Sequence, residues 1–188
     1  GRQMLGLGFV RPRAQAVSFF ESRAIGGLPR DHESFNPREW KPRVPNQAFL
    51  HARADDRFWA ARKLASLDTN MIGAAVRAGH FRDVTSEAFL IRALAERRDA
   101  IVRTYLTAIN PIADPVLSAD GVLSFRNAAV DADVARAPEG YHAVWSRFDN
   151  ATGDTRFIGT SSGTFARLLA PAGLPHTDGA FVRVAAGV

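Results

Sequence analysis

TSEAFLIRALAERRDAIVRTYLTAI, residues 85–109, lies within the longest run of the chain that has neither Gly nor Pro. Its apolar residues recur at helical spacing. Leu90, Leu94, Ile101, Tyr105 and Ala108 fall close to one stripe, with Phe89, Ala93 and Ala100 beside it. About 25 residues of helix would extend roughly 37 Å, enough to span a small domain. Asp83 or Thr85 is placed to cap its start, and Glu87 stands in the first turn, where the helix dipole favours a carboxylate. Asn110-Pro111 ends it, because a residue before proline is driven out of the helical region.

Working upstream, the pattern predicts two shorter helices. One runs from about Asp55 to Ser66, with Asp55 or Asp56 capping and Phe58, Trp59, Ala61 and Ala65 facing inward. The next is TNMIGAAVRA, capped by Asp68, with Met71, Ile72, Ala75 and Val76 on one stripe and Gly79 as its C′ stop. Short connections make the three helices neighbours in a small bundle. Residues 1–54 carry little periodicity. Within them, FFESRAIGGLPRDHESFNPREWKPRVPNQAFL (19–50) holds Phe19, Phe20, Ile25, Phe35, Trp40, Phe49 and Leu50 between prolines that forbid long helices. We read it as an ordered wrapping segment laid over the helical core, with Asn36-Pro37-Arg38-Glu39-Trp40 as a capped single turn.

Downstream of Pro115 the texture changes. VLSADGVLSF (116–125) reads as strand, Asp-Gly turn, strand. YHAVWSRF (141–148) alternates, with Tyr141, Ala143, Trp145 and Arg147 on one face and His142, Val144, Ser146 and Phe148 on the other. Residues 149–154 are turn formers and Thr155 to Thr160 is the return strand; Phe165–Leu169 and Phe181–Ala185 complete five or six strands. The expected fold class is α+β. It has an aromatic, proline-rich wrapping segment on a three-helix core (1–114), followed by a small antiparallel β module, a partial sandwich (115–188).

With 188 residues, 46% of them hydrophobic, and thirteen Phe, the chain can bury a core. No apolar run reaches the ~18 residues that cross a bilayer. The first residues lack the apolar stretch of a signal peptide, and the absence of an initial Met leads us to expect a piece of a longer protein. There are no cysteines, which excludes disulfides, thiolate metal sites and a Cys nucleophile. The net charge of +5 invites a nucleic-acid reading. The pattern speaks against it: only Lys41 and Lys63 are lysines, and the arginines sit beside acids, as in the i,i+4 pairs Arg92–Glu96 and Asp99–Arg103.

Candidate chemistry is sparse. His32, His51, His80, His142 and His176 share no metal-binding spacing, so no metal or cofactor is expected. Gly159-Thr160-Ser161-Ser162-Gly163 does not lead into a helix as a nucleophile elbow must, and reads as a loop. The densest charge cluster is Glu96-Arg97-Arg98-Asp99. Arg97 and Arg98 could grip an anion, but Arg97 falls near the apolar stripe, which favours a structural ion pair with Glu21, Asp31 or Glu39. No nucleophile, base and orienting group can be nominated together.

Several segments carry a resemblance: FNPREWKP (35–42), PNQAF (45–49), DDRFWAAR (55–62), ERRDAI (96–101) and WSRFDN (145–150). Over nearly its whole length the chain resembles the C-terminal part of a family of uncharacterised bacterial proteins. Members look exported and carry upstream kinase-like motifs, a His- and Asn-containing catalytic-loop analogue followed by a DFG-like triplet. The resemblance implies that the helices are the distal part of a kinase-like C-lobe, with the β module as an appendage. The groups that would hold ATP and Mg²⁺ cannot be located in these residues, so no catalytic residue carries over. Two functions follow as expectations: a non-catalytic structural or interaction module of a larger protein, or the distal portion of a phosphotransferase whose active site precedes Gly1. An Arg-rich polyanion binder is a weaker third. The expected partner is the rest of the parent chain or another protein.

Overall fold

The computed structural model describes Ile25, Leu28, residues 35–42, 44–175, Thr177 and 179–188. The protein is α+β, with helices followed by two small antiparallel sheets. It divides into two compact units, residues 1–105 and 106–188. Their charge differs in sign. The first carries eighteen Arg and Lys against eleven Asp and Glu, a net of +7; the second carries six against eight, a net of −2.

The helices are α1 (Gln47–Leu50), α2 (Ala54–Ala65), α3 (Thr69–Arg77) and α4 (Val84–Leu106). Each start has a local cause. Asn46 accepts from Ala48 N at 2.9 Å, and Asp68 accepts from Met71 N at 2.7 Å. At α2 the N-cap position is Arg53, and Asp56 three residues on accepts from the Arg53 N–H at 2.9 Å, half of a capping box. The turn after Asn36 forms, with Glu39 N and Trp40 N donating to Asn36 O. After α3 the left-handed residue is His80 (φ 49°), where the sequence pointed to Gly79. Gly79 instead keeps ordinary φ, its N–H closing the last turn on Val76 O.

Asp83 caps α4, accepting from Thr85 N (3.1 Å), Ser86 N (3.0 Å) and Ser86 Oγ (2.5 Å). The Ser86 hydroxyl, then the backbone N–H groups, hold this carboxyl below its ordinary 3.8. A carboxyl depressed in the folded state contributes stability that is fully present above its unfolded value. That contribution is lost as pH falls through the lower folded value. Titrating far-UV ellipticity from about pH 6 to about pH 2 should therefore show an acid-side loss of helix that Asp83→Asn blunts. Identical curves would show that the cap contributes nothing through its charge.

Helix α4 does not bury the single stripe its pattern offers. In its first half Ser86, Phe89 and Ala93 are buried, and Phe89 and Ala93 form a cluster with Ile25 and Leu28, edged by Phe81 and Leu90. In its second half Val102 and Leu106 are buried. At about 100° per residue these two sets lie nearly half a turn apart, so the helix presents opposite faces at its two ends. Leu94, placed on the stripe by sequence, is 38% exposed. On α2, Phe58 and Ala61 are buried while Trp59 and Ala65 face water; on α3, Gly73 and Val76 are buried and Met71 is exposed. Of the wrapping-segment anchors, Ile25 is buried and Phe35 half-buried, whereas Trp40, Phe49 and Leu50 are exposed. Phe19 and Phe20 lie outside the described residues.

The second unit holds β1 (Ile112–Leu117), β2 (Val122–Asn127), a short α5 (Ala128–Asp131), β3 (Tyr141–Phe148), β4 (Thr155–Gly163), β5 (Arg167–Leu169) and β6 (Phe181–Gly187). The sheets run in the order β1-β2-β5 and β4-β3-β6, antiparallel throughout. β1 begins ahead of Pro115 and tolerates it because it is an edge strand with a register shift between Ala113 and Val116 and Asp114 at φ 51°. The β1–β2 turn uses Gly121 at φ 78°. Both sheets contribute to one core of Leu123, Phe125, Tyr141, Ala143, Trp145 and Leu168. Asn127 ties α5 to it: Oδ1 accepts from Ala129 N and Val130 N, and Nδ2 donates to the buried Tyr141 hydroxyl at 3.2 Å. No helix among the described residues is long and apolar enough to cross a membrane.

Candidate functional site

The charge cluster on α4 splits into two unlike environments. Arg98 Nη1 donates to the Leu67 carbonyl at 2.6 Å, while Nε and Nη2 reach Asp99 Oδ1 at 2.7 and 2.6 Å. It therefore staples α4 to the α2–α3 connection. Arg97 lies with its guanidinium carbon 4.8 Å from the Phe35 ring centre. Burial lowers its pKa, and its Nε has no hydrogen-bond partner. Of the carboxylates considered for it, Glu39 makes no ion pair with it, and Glu21 and Asp31 lie outside the described residues. A cation over a ring face keeps the guanidinium's interaction without a carboxylate.

Gly159–Gly163 is not a loop. It is the second half of β4, and Ser161 Oγ accepts from Trp145 Nε1 at 2.8 Å. The 149–154 turn is closed on itself. Asp149 Oδ1 accepts from Ala151 N and Thr152 N, which depresses its pKa, and Thr152 Oγ1 donates to Asp154 Oδ2 at 2.8 Å. His32 and His176 lie outside the described residues, and among those described no three His, Asp or Glu are placed to hold a metal. A shallow, open depression of about 480 Å³ beside α5 is lined by Val130, Asp133, Val134, Ala135, Arg136 and Ala137. It lacks the enclosing walls by which small-molecule sites bury most of a ligand.

What the fold does assemble is a sheet face. On β4-β3-β6 the inner side carries Trp145, wholly buried, between Val184 and Gly159. The outer side is four cross-strand rows: Ser162–His142–Gly187, Thr160–Val144–Ala185, Phe157–Ser146–Arg183 and Thr155–Phe148–Phe181. Phe157 is 64% and Phe181 51% exposed, Val144 is exposed, and Phe148 is half-buried between the outer strands.

The position of Phe157 depends on one residue. The register slips between Trp145 and Ser146, so Ile158 and Gly159 both stand opposite Trp145, and Ile158 packs into the core. Strict alternation from Thr160 would have pointed Phe157 inward; the bulge reverses the parity. Gly159 is required there because a Cβ would come 2.8 Å from Pro171 Cβ. Sequence reasoning had the β3 half of this face, but Phe157 and Phe181 join it only through register.

No protein-family model, curated protein or solved structure matches the chain, so the site rests on its own geometry.

Proposed function

We propose that this chain is a non-catalytic interaction module, the C-terminal part of a larger bacterial protein, and that the outer face of β4-β3-β6 is its contact surface. The observation that carries the reading is the pair of exposed rings, Phe157 and Phe181, flanking half-buried Phe148 on an open sheet face. Aromatic and Arg side chains are what protein interfaces concentrate, and carboxylates are what their centres lack. In this reading the aromatic, proline-rich segment 19–50 is the wrapping segment on the helical core, and the two sheets form a partial sandwich around Trp145.

A second reading follows from the helical unit, where Trp40, Phe49, Leu50, Trp59 and Met71 are all exposed. A kinase-like phosphotransferase whose remaining lobe docks there would need such surface, with the catalytic groups upstream of Gly1. Sedimentation and thermal unfolding of the chain separate the two. The interaction module unfolds cooperatively as a monomer. Self-association relieved by Trp59→Ser and not by Phe157→Ala would replace the first reading with the second.

A further inference from the structure

We propose that the outer face of β4-β3-β6 receives an acidic amphipathic helix from a partner protein. This rests on the interaction-module reading and names the partner's chemistry. The argument begins with size. Three strands about 4.8 Å apart and eight residues at about 3.3 Å give a face of roughly 14 by 26 Å. A stable pair of folded domains buries about 800 Å² on each side, which a face this small does not reach. One α-helix is about 10–12 Å across, and about seventeen residues of it cover 26 Å, so a single helix fills the face. Covering an apolar sheet face with a helix is also one of the few stable two-layer solutions.

Charge sets the partner's sign. The twelve residues of the four rows include Arg183 and His142 and no carboxylate. The Arg183 side chain makes no hydrogen bond or ion pair among the described residues, and it sits in the row of Phe157, next to the row of Phe148 and Phe181. Among the described residues the turn acids next to the face, Asp149 and Asp154, accept hydrogen bonds within their own turn. One in-face guanidinium among three rings suits one carboxylate among apolar anchors. It does not suit a nucleic acid, which brings a phosphate with every nucleotide and is held by several cations. The helix would place apolar residues at i, i+4 and i+7 against Phe148, Phe157 and Phe181, with a Glu facing Arg183.

The test uses the full chain and two labelled synthetic helices of about seventeen residues. Both carry Leu at those spacings; one has Glu and the other Lys at the intervening position. By fluorescence anisotropy the Glu helix should bind at least tenfold tighter. Arg183→Glu should reverse the preference, and Phe157→Ala should weaken both helices about tenfold or more. Both side chains are exposed, so Tm should stay within about 2 °C in each variant. Equal binding of the two helices, no reversal with Arg183→Glu, or displacement of the Glu helix by a single-stranded oligonucleotide would overturn the proposal. Self-association relieved by Trp59→Ser and not by Phe157→Ala would instead overturn the interaction-module reading beneath it, so the two failures are told apart.

Discussion

Trp145→Ala is expected to cost about 3–5 kcal/mol, the range for removing a fully buried large aromatic. For a chain of this size that lowers Tm by roughly 10 °C. The ring is wholly excluded from water and packs with Leu123, Phe125, Tyr141, Ala143 and Leu168. Its indole N–H has one partner, Ser161 Oγ at 2.8 Å, so the substitution both opens a cavity and leaves a half-buried hydroxyl without its donor. Trp145→Phe separates the two effects. It keeps most of the apolar volume and loses the N–H, so its cost should be the smaller, about 1–2 kcal/mol from the broken bond plus a modest repacking loss. Thermal or denaturant unfolding followed by far-UV circular dichroism gives both numbers. Emission gives an independent check, because Trp40 and Trp59 are exposed and Trp145 alone of the three is buried. The folded Ala variant should emit at the wavelength of solvated tryptophan. A loss below about 1 kcal/mol would mean that this ring does not organise the core.

Reading the β module from sequence succeeded where one strand's own alternation was enough. YHAVWSRF is β3 residue for residue, and its Trp145 face is the buried one. It failed where a neighbouring strand decides. Ile158 and Gly159 share a face because Pro171 packs over the glycine, and nothing in the order of residues announces that contact. The outward Phe157 follows from the same bulge, so the candidate contact surface was half legible at best. In the charge cluster the position was legible: Arg97 falls near the apolar stripe, and its guanidinium carbon lies 4.8 Å from the Phe35 ring centre, while Glu21 and Asp31 lie outside the described residues. The long helix was legible in extent and cap. Its buried face was not, because periodicity averages over the whole segment, whereas the structure buries opposite sides at its two ends.

Phe89→Ala tests that last point and should destabilise by about 3–4 kcal/mol. Phe89 is buried with Ala93, Ile25 and Leu28, edged by Phe81 and Leu90, and Arg92 places its guanidinium carbon 5.7 Å from the ring centre. The control is Leu94→Ala on the same helix. The sequence stripe gives Leu94 the larger role, yet its 38% exposure leaves little apolar area to lose and space for water to fill, so its cost should stay near 1 kcal/mol or less. Alanine raises helix propensity at both positions, slightly more for the phenylalanine, so propensity alone would rank the two variants in the opposite order. Denaturant unfolding of the pair, with unchanged slopes confirming that the exposed surface is the same, therefore isolates burial. If Leu94→Ala proves the costlier, the helix buries its sequence stripe after all. Its packing on Ile25 and Leu28 would then be a minor contact. If Phe89→Ala does, the core of the helical unit is built on the face beside the stripe, by two residues more than sixty positions upstream of Phe89 that no period in α4 could have revealed.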